Sequence, residues 1–346
     1  METPNNNRQS DNHSIRLLDS LKRYRASLGI MMTAAVLCAV VALGLSTSSI
    51  AQNATTTTDA VMEHPGWVQI PGQLMRPDCV HQVPNGARVE VGNSGQITGD
   101  VTLDGVLIAH YEACPEEAIV TRPRARTEGL GNSPGTGNGW VEADQWNVPL
   151  NSNDDIDYMA GTWAVPSYPS ENGALIYLFN GIEPSNGSWI LQPVLQYGVS
   201  PAGGGNYWSI ASWLVSSKQA FYSPLETVYP GNSIKGFIEM TGISGNTKYW
   251  EVEAKDATTG AYSILSAYVS GEHWTWAYAG VLEAYNVTSC SQFPANGREV
   301  FKGSVVDHGF PLYKPVSPQN WYGAIYSYGG PSCHFAVVAA SATLDF

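Results

Sequence analysis

Charged side chains are scarce in this sequence. Asp, Glu, Lys and Arg make up 14% of its 346 residues, against roughly 25% in an average soluble protein. Coiled coils and long solvent-bridging helices, which draw on Glu and Lys, are excluded by that shortage. Basic residues are the rarer sign: 17 Lys and Arg stand against 30 Asp and Glu, for a net charge of −13. A nucleic-acid partner demands clustered Lys and Arg for its phosphates, so none is expected. Metal-ligand spacings are missing too. There is no C-x-x-C, H-x-x-x-H or H-E-x-x-H, and neither a metal nor another cofactor is expected. No amphipathic stretch of helical period exceeds ten residues. What abounds is Gly (35), Tyr (18) and Trp (11). Short strands joined by tight turns around an aromatic core fit that mixture, and the aromatic content separates it from a disordered acidic chain.

One apolar run is long. Arg16, Lys22, Arg23 and Arg25 precede Leu28–Leu45, eighteen residues without a charge, and Ser49-Ile50-Ala51 follows. Basic, then apolar, then small residues is the order of a signal peptide, so residues 1–51 are expected to be cleaved after Ala51, leaving Gln52 first. An uncleaved anchor is the alternative, because eighteen apolar residues nearly span a bilayer. Residues 1–51 hold five basic and three acidic side chains, so the mature chain would carry a net charge near −15. Such a surface loses charge as the pH falls, which suits acid surroundings. The expected location is extracellular or periplasmic, with no membrane contact after cleavage.

Without Cys38 the cysteines number four: Cys79, Cys114, Cys290 and Cys333. In an exported protein an even set reads as two disulfides. Three pairings are possible; Cys79–Cys114 with Cys290–Cys333 is expected, since each pair lies within its own sequence region.

Residues 52–120 read as a small β-rich unit. Its strands are expected at Ala87–Val91, Gln96–Thr98 and Val106–Ala109, separated by Pro84-Asn85-Gly86, Asn93-Ser94-Gly95 and Asp104-Gly105. It is expected to be either a prosegment, inhibitory or folding-assisting, or a permanent accessory domain. Residues 121–139 are dominated by Gly and Pro and include three arginines, the composition of a flexible linker and of a site for proteolytic cleavage. The literal G-x-S-x-G at Gly131–Gly135 has neither the strand nor the helix that a nucleophile elbow needs. From Trp140 to Phe346 strands follow one another. They are expected at Gly161–Val165, Leu175–Gly181, Trp189–Val199, Tyr207–Val215, Ser233–Thr241, Lys248–Ala254, Ala261–Val269, Trp276–Tyr285 and Phe335–Leu344. Their number and spacing predict an all-β fold, an antiparallel two-sheet sandwich of the jelly-roll or concanavalin-like kind.

Polar residues inside apolar strands draw the eye. Trp189–Val199 places Gln192 and Gln196 on one face of a hydrophobic strand, and Glu283 stands alone in Ala279–Tyr285. A buried Glu needs a partner, and such sites are often functional. Backbone satisfaction by the glutamines and a solvent-reaching Glu283 are the alternative reading. His273, His308 and His334 stand in no catalytic spacing and read as surface or satisfied interior residues. Asn151–Asp157 offers oxygen ligands but lacks the Gly and closing Glu of a calcium loop, so it reads as a solvated turn.

Five segments in order carry a resemblance. Gly161-Thr-Trp-Ala-Val-Pro-Ser167, Phe179-Asn-Gly-Ile-Glu183, Leu195-Gln196-Tyr-Gly-Val199, Asp256-Ala-Thr-Thr-Gly260 and Val281-Leu282-Glu283 resemble, across about residues 140–290, the motifs of the eqolisin glutamic peptidases. Phe179 stands where that family has an active-site tryptophan and Glu183 where it has Asp. Ser200 and Ser212 fall where acidic residues are expected. The resemblance implies a secreted acid endopeptidase whose catalytic pair is Gln196 and Glu283. Glu283 would be general base on a water and Gln196 the oxyanion donor. It implies a polypeptide substrate, no cofactor and a monomeric enzyme. The pair is expected on neighbouring strands of one sheet. Phe179 and Glu183, together with Tyr197, Trp208 and Trp213 as exposed aromatics, are expected to line the peptide cleft. Gln192, followed by Pro193 rather than by x-Gly-Val, is not expected to take part. A non-catalytic, lectin-like carbohydrate-binding sandwich, with sugars stacked on its aromatics, is the alternative; a surface or adhesion protein is a third.

Overall fold

Period-two alternation governs half of the sandwich. In β15 (Ser233–Ser244) residues Ile234, Gly236, Ile238 and Met240 are buried while their neighbours are not, and Trp250, Val252 and Ala254 repeat the pattern in β16 (Thr247–Asp256). Leu265, Ala267 and Val269 do so in β17 (Tyr262–Ser270). The computed structural model describes residues 64–91, 99–115, 118–120, 139–326, 330–331, 333–339 and 342–346. The expected signal segment, the Gln96–Thr98 strand and the linker up to residue 138, with its Gly131–Gly135 motif, lie outside them.

The first sheet runs β22 (Tyr322–Ile325), β8 (Gly139–Asn147), β18 (Trp274–Tyr285), β10 (Leu175–Pro184), β11 (Trp189–Ser200), β12 (Gly203–Ser216), β13 (Ala220–Tyr222), β3 (Val80–Gln82). A short strand, β14 (Glu226–Val228), also pairs with β12. The second runs β21 (Lys314–Pro315), β20 (Lys302–His308), β9 (Ile156–Ala164), β15, β16, β17, β4 (Arg88–Val91), β5 (Gly99–Leu103), β6 (Val106–Tyr111). Two three-stranded sheets accompany them: β1 (Val68–Ile70), β2 (Gln73–Met75) and β7 (Ile119–Val120), then β19 (Arg298–Val300), β24 (Thr343–Asp345) and β23 (Ala336–Val338).

The fold is the expected all-β sandwich. Trp163, Ile234 and Ala254 of the second sheet meet Ile176, Leu178 and Leu195 of the first in one core cluster. Met159, Ile238 and Trp250 meet Ile182, Leu191 and Leu214 in another. The outer face of the first sheet is covered as well: Ile70, Met75, Cys79 and Cys114 pack in a third cluster with Tyr177, Phe179, Val194 and Trp213. Strands β10, β11 and β18 are therefore buried on both sides, which is why they read as nearly unbroken apolar runs.

Among the described strands, pairing is antiparallel except at two joins, β3 with β13 and β4 with β17. Both are made by residues expected to form a small unit of their own. Val83, Ala87, Val89, Val91 and Val101 enter the inter-sheet core, so this stretch shares the sandwich's core and lengthens both sheets. The disulfides Cys79–Cys114 and Cys290–Cys333 are both present. The expected strand Phe335–Leu344 is instead two short antiparallel strands, β23 and β24.

Candidate active site

Register brings Gln196 and Glu283 into one row. Tyr177 at the centre of β10 pairs with Gln196 on β11 and with Glu283 on β18. Paired residues point to the same side of a sheet, so all three side chains share the outer face. The two are not on neighbouring strands as expected: β10 intervenes, and their Cα atoms are separated by two strand spacings, about 10 Å. Gln192 shares the face but lies four residues up β11, about 13 Å from that row. Its amide has no hydrogen-bond partner among the described residues.

Glu283 is fully buried. Its Oε1 accepts the backbone N–H of Gly72 at 2.5 Å and the hydroxyl of Tyr285. Tyr177 points its hydroxyl at the carbonyl of Gln69, 3.5 Å away. Burial, and then the charge of Glu283, hold the Tyr177 phenol well above its ordinary pKa, so it stays a neutral donor.

Gln196 is held by the β11–β12 turn. Its Nε2 donates to the carbonyls of Gly198 (2.9 Å) and Gly203 (3.0 Å), and its Oε1 accepts from the Ser200 hydroxyl at 2.9 Å. Ser200 thus orients the candidate oxyanion donor. The turn needs glycine at 198, where φ is +98° and a Cβ would strike the backbone of Ala174 and Leu175. Gly198→Ala is expected to destabilise the fold by roughly 2 kcal/mol or more, the cost of a left-handed residue plus that clash. Chemical denaturation measures it; an unchanged midpoint would show that the turn tolerates a side chain.

Phe179, Glu183 and Trp213 join Gln196 and Glu283 on the outer face. Phe179 meets Trp140 edge-on, with centroids 5.8 Å apart, and Trp213 stacks on Tyr222 at 4.7 Å. Glu183 accepts the Tyr278 hydroxyl at 3.1 Å. Tyr197 and Trp208 do not join them. Both pack in the inter-sheet core, and none of the three expected surface aromatics is more than 1% exposed. Alternation explains the error, since Tyr197 follows Gln196 and must face the other way. Ser212 also faces inward, bonded to the Ser263 carbonyl at 2.8 Å. Sequence reasoning missed Tyr177 and Tyr285, although each stands two residues from a named site residue and hence on its face. Gly72 carried no such signal.

Asn151–Asn153 forms the expected solvated turn, closed by the Asp154 N–H on the Asn151 carbonyl at 3.0 Å, but the aspartates after it are engaged. Asp154 pairs with His308 at 2.5 Å, and Asp155 pairs with Lys248 at 2.8 Å and with His273 at 3.3 Å. His334 is exposed. Asp78, Cys79 and Cys114 cluster as metal ligands would, but both sulfurs are committed to a disulfide.

Known structures offer three points of comparison. The chain is similar to a scytalidoglutamic peptidase bound to a peptide-based transition-state analogue, at 17% identity and a TM-score of 0.41, over 60% of this chain and 96% of that one. It is similar to SCP-B, a member of the eqolisin family solved with the tripeptide Ala-Ile-His, at 18% identity and a TM-score of 0.39 over 60% and 96%. A weaker likeness is to the CBM2 module of the evolved Dit protein of Lactobacillus casei BL23 phage J-1, at 11% identity and a TM-score of 0.26 over 61% and 89%. No protein-family model and no curated protein matches the chain.

Proposed function

We propose that the chain is a secreted, monomeric acid endopeptidase that cleaves peptide bonds with Glu283, Gln196 and an activated water. The observation that carries this reading is the row Gln196–Tyr177–Glu283 on one face of the first sheet. Glu283 takes a proton from the water as it attacks the scissile carbonyl, then passes that proton to the leaving amine and ends ionised as it began. The Gln196 amide donates to the developing oxyanion, exchanging its bond to Gly198 or Gly203 for one to substrate. A spacing of about 10 Å leaves room for a peptide group between the two side chains, above Tyr177. Phe179 and Trp213 supply apolar surface along the same face.

Residues 52–120 act as a prosegment, inhibitory or folding-assisting, whose chain connection to the sandwich is cut within 121–139. A glycan platform would need open aromatic faces, and the burial of Tyr197, Trp208 and Trp213 weighs against one built from them. The direct test is hydrolysis of a protein substrate at pH 3–5, by the intact chain and by chain cut within 121–139. Pepstatin, directed at two-aspartate peptidases, should not block it. Absence of hydrolysis in both preparations, with binding to a glycan array, would replace this reading with the carbohydrate-binding one.

A further inference from the structure

The segment that covers the outer face is not a uniform lid. Ile70-Pro71-Gly72-Gln73 joins β1 to β2 with Ile70 paired to Gln73, so Pro71 and Gly72 form a two-residue loop. Proline followed by a glycine at φ +80° is the signature of a type II turn. Turn tips normally lie in solvent, yet residues 70–75 are all buried. Their polar groups are spent on the first sheet: Gly72 N–H reaches Glu283, the Gln69 carbonyl faces the Tyr177 hydroxyl, and Gln73 Nε2 donates to the Ser216 carbonyl at the end of β12. Ile70 belongs to the same apolar cluster as Tyr177, Phe179 and Tyr285.

We propose that the hairpin turn Gln69–Leu74 is a built-in inhibitor seated in the groove meant for a polypeptide substrate. This rests on the peptidase reading and says how its site is silenced. Gly72 presents the N–H of the Pro71–Gly72 amide to the oxygen on which a general base would hold its water. A turn directed in this way blocks the base without offering it a carbonyl to attack, so it acts as an inhibitor and not as a substrate. The two roles of the prosegment fall to different parts of it. Val83, Ala87, Val89, Val91 and Val101 fill the inter-sheet core and β3 and β4 extend the sheets, so they remain docked, whereas displacement of the hairpin alone opens the groove.

The test uses the full chain and the variant Ile70→Asp, which sets a charge at a fully buried position and expels the turn. Carbodiimide labelling of Glu283, located by peptide mapping, reads occlusion independently of catalysis; pepstatin-resistant hydrolysis reads function. In the intact chain Glu283 should resist labelling. In Ile70→Asp both labelling and hydrolysis should rise at least tenfold, and a synthetic Trp67–Met75 peptide should reverse both. Labelling without hydrolysis would uphold occlusion and overturn the peptidase reading. Ready labelling of Glu283 in the intact chain, or hydrolysis by that chain equal to the variant's, would overturn occlusion. Should Ile70→Asp fail to fold, Gln73→Ala, which removes the hold on Ser216, should raise labelling in the same direction, and unchanged labelling in that folded variant would count against the proposal.

Discussion

Glu283→Gln is expected to cut turnover by roughly 10²–10⁴-fold, the range that a positioned general base contributes, while the protein stays folded. The amide keeps the shape of the carboxylate and retains one oxygen to accept Gly72 N–H and the Tyr285 hydroxyl, so packing around this fully buried position is preserved. What it loses is the capacity to take a proton. Gln196→Ala is expected to cost about 10²–10³ in kcat, the loss typical of one oxyanion donor. Gln192→Ala is the control. It stands about 13 Å along the strand from the proposed catalytic row and should change kcat less than about tenfold, the upper bound set by a general loss of packing. All three are measured in protein with its hairpin displaced, so that occlusion does not mask the result. Wild-type turnover in both Glu283→Gln and Gln196→Ala would remove the catalytic pair, and with it the peptidase assignment.

Stability is expected to be greatest in acid and to decline steadily as the pH rises. Burial pushes Glu142 up to about 9, with Asp345 adding to the shift. Burial pushes Asp157 to about 8, with Asp307 and Asp154 adding like charge. Burial alone pushes Asp144 to about 7, and burial takes Glu299 to about 7 against the opposing backbone N–H groups of Val300 and Ala164. Each of these carboxyls holds its proton more tightly in the folded chain than in the unfolded one, where carboxyls titrate near 4. Their stabilisation is therefore complete below about pH 4 and is lost as the pH rises through 7, 8 and 9. Asp256 runs the other way: burial raises it, but hydrogen bonds from Thr259, Thr258 and Asn232 prevail and hold it low. Denaturation midpoints should fall from pH 4 to pH 9, and Glu142→Gln should flatten the alkaline end. A midpoint that is constant or rises across that range would show that these carboxyls are ionised in the native state.

How much of this was legible depended on how many faces of each strand are covered. β15, β16 and β17 bury one face, so Ile238, Met240, Trp250 and Val252 announced themselves by alternation. β8 was invisible: it is buried on both sides and carries Glu142 and Asp144 inside the fold, where charge in the sequence argues for surface. Gln196 and Glu283 stood out because they interrupt strands that are apolar on both faces. Their separation by β10 was hidden, because strand order depends on contacts far apart in the chain. The disulfides were readable because each links its own region. Nothing near Gly72 pointed to Glu283, 211 residues away.

The two parallel joins set an order of events during biogenesis. β3 and β4 emerge early from the ribosome, yet their partners β13 and β17 lie roughly 140 and 180 residues downstream. Contacts that distant form slowly, because the loop must be closed before pairing stabilises it. The first strands translated are thus among the last to be seated, and they can dock only on edges that the later sequence has already built. A chain that is completed before it folds meets this requirement without penalty: all partners are present before any must pair. Until then the outer face of the first sheet lacks both the hairpin that covers it and the core residues that complete the sandwich, so covering and completion are achieved in the same late step.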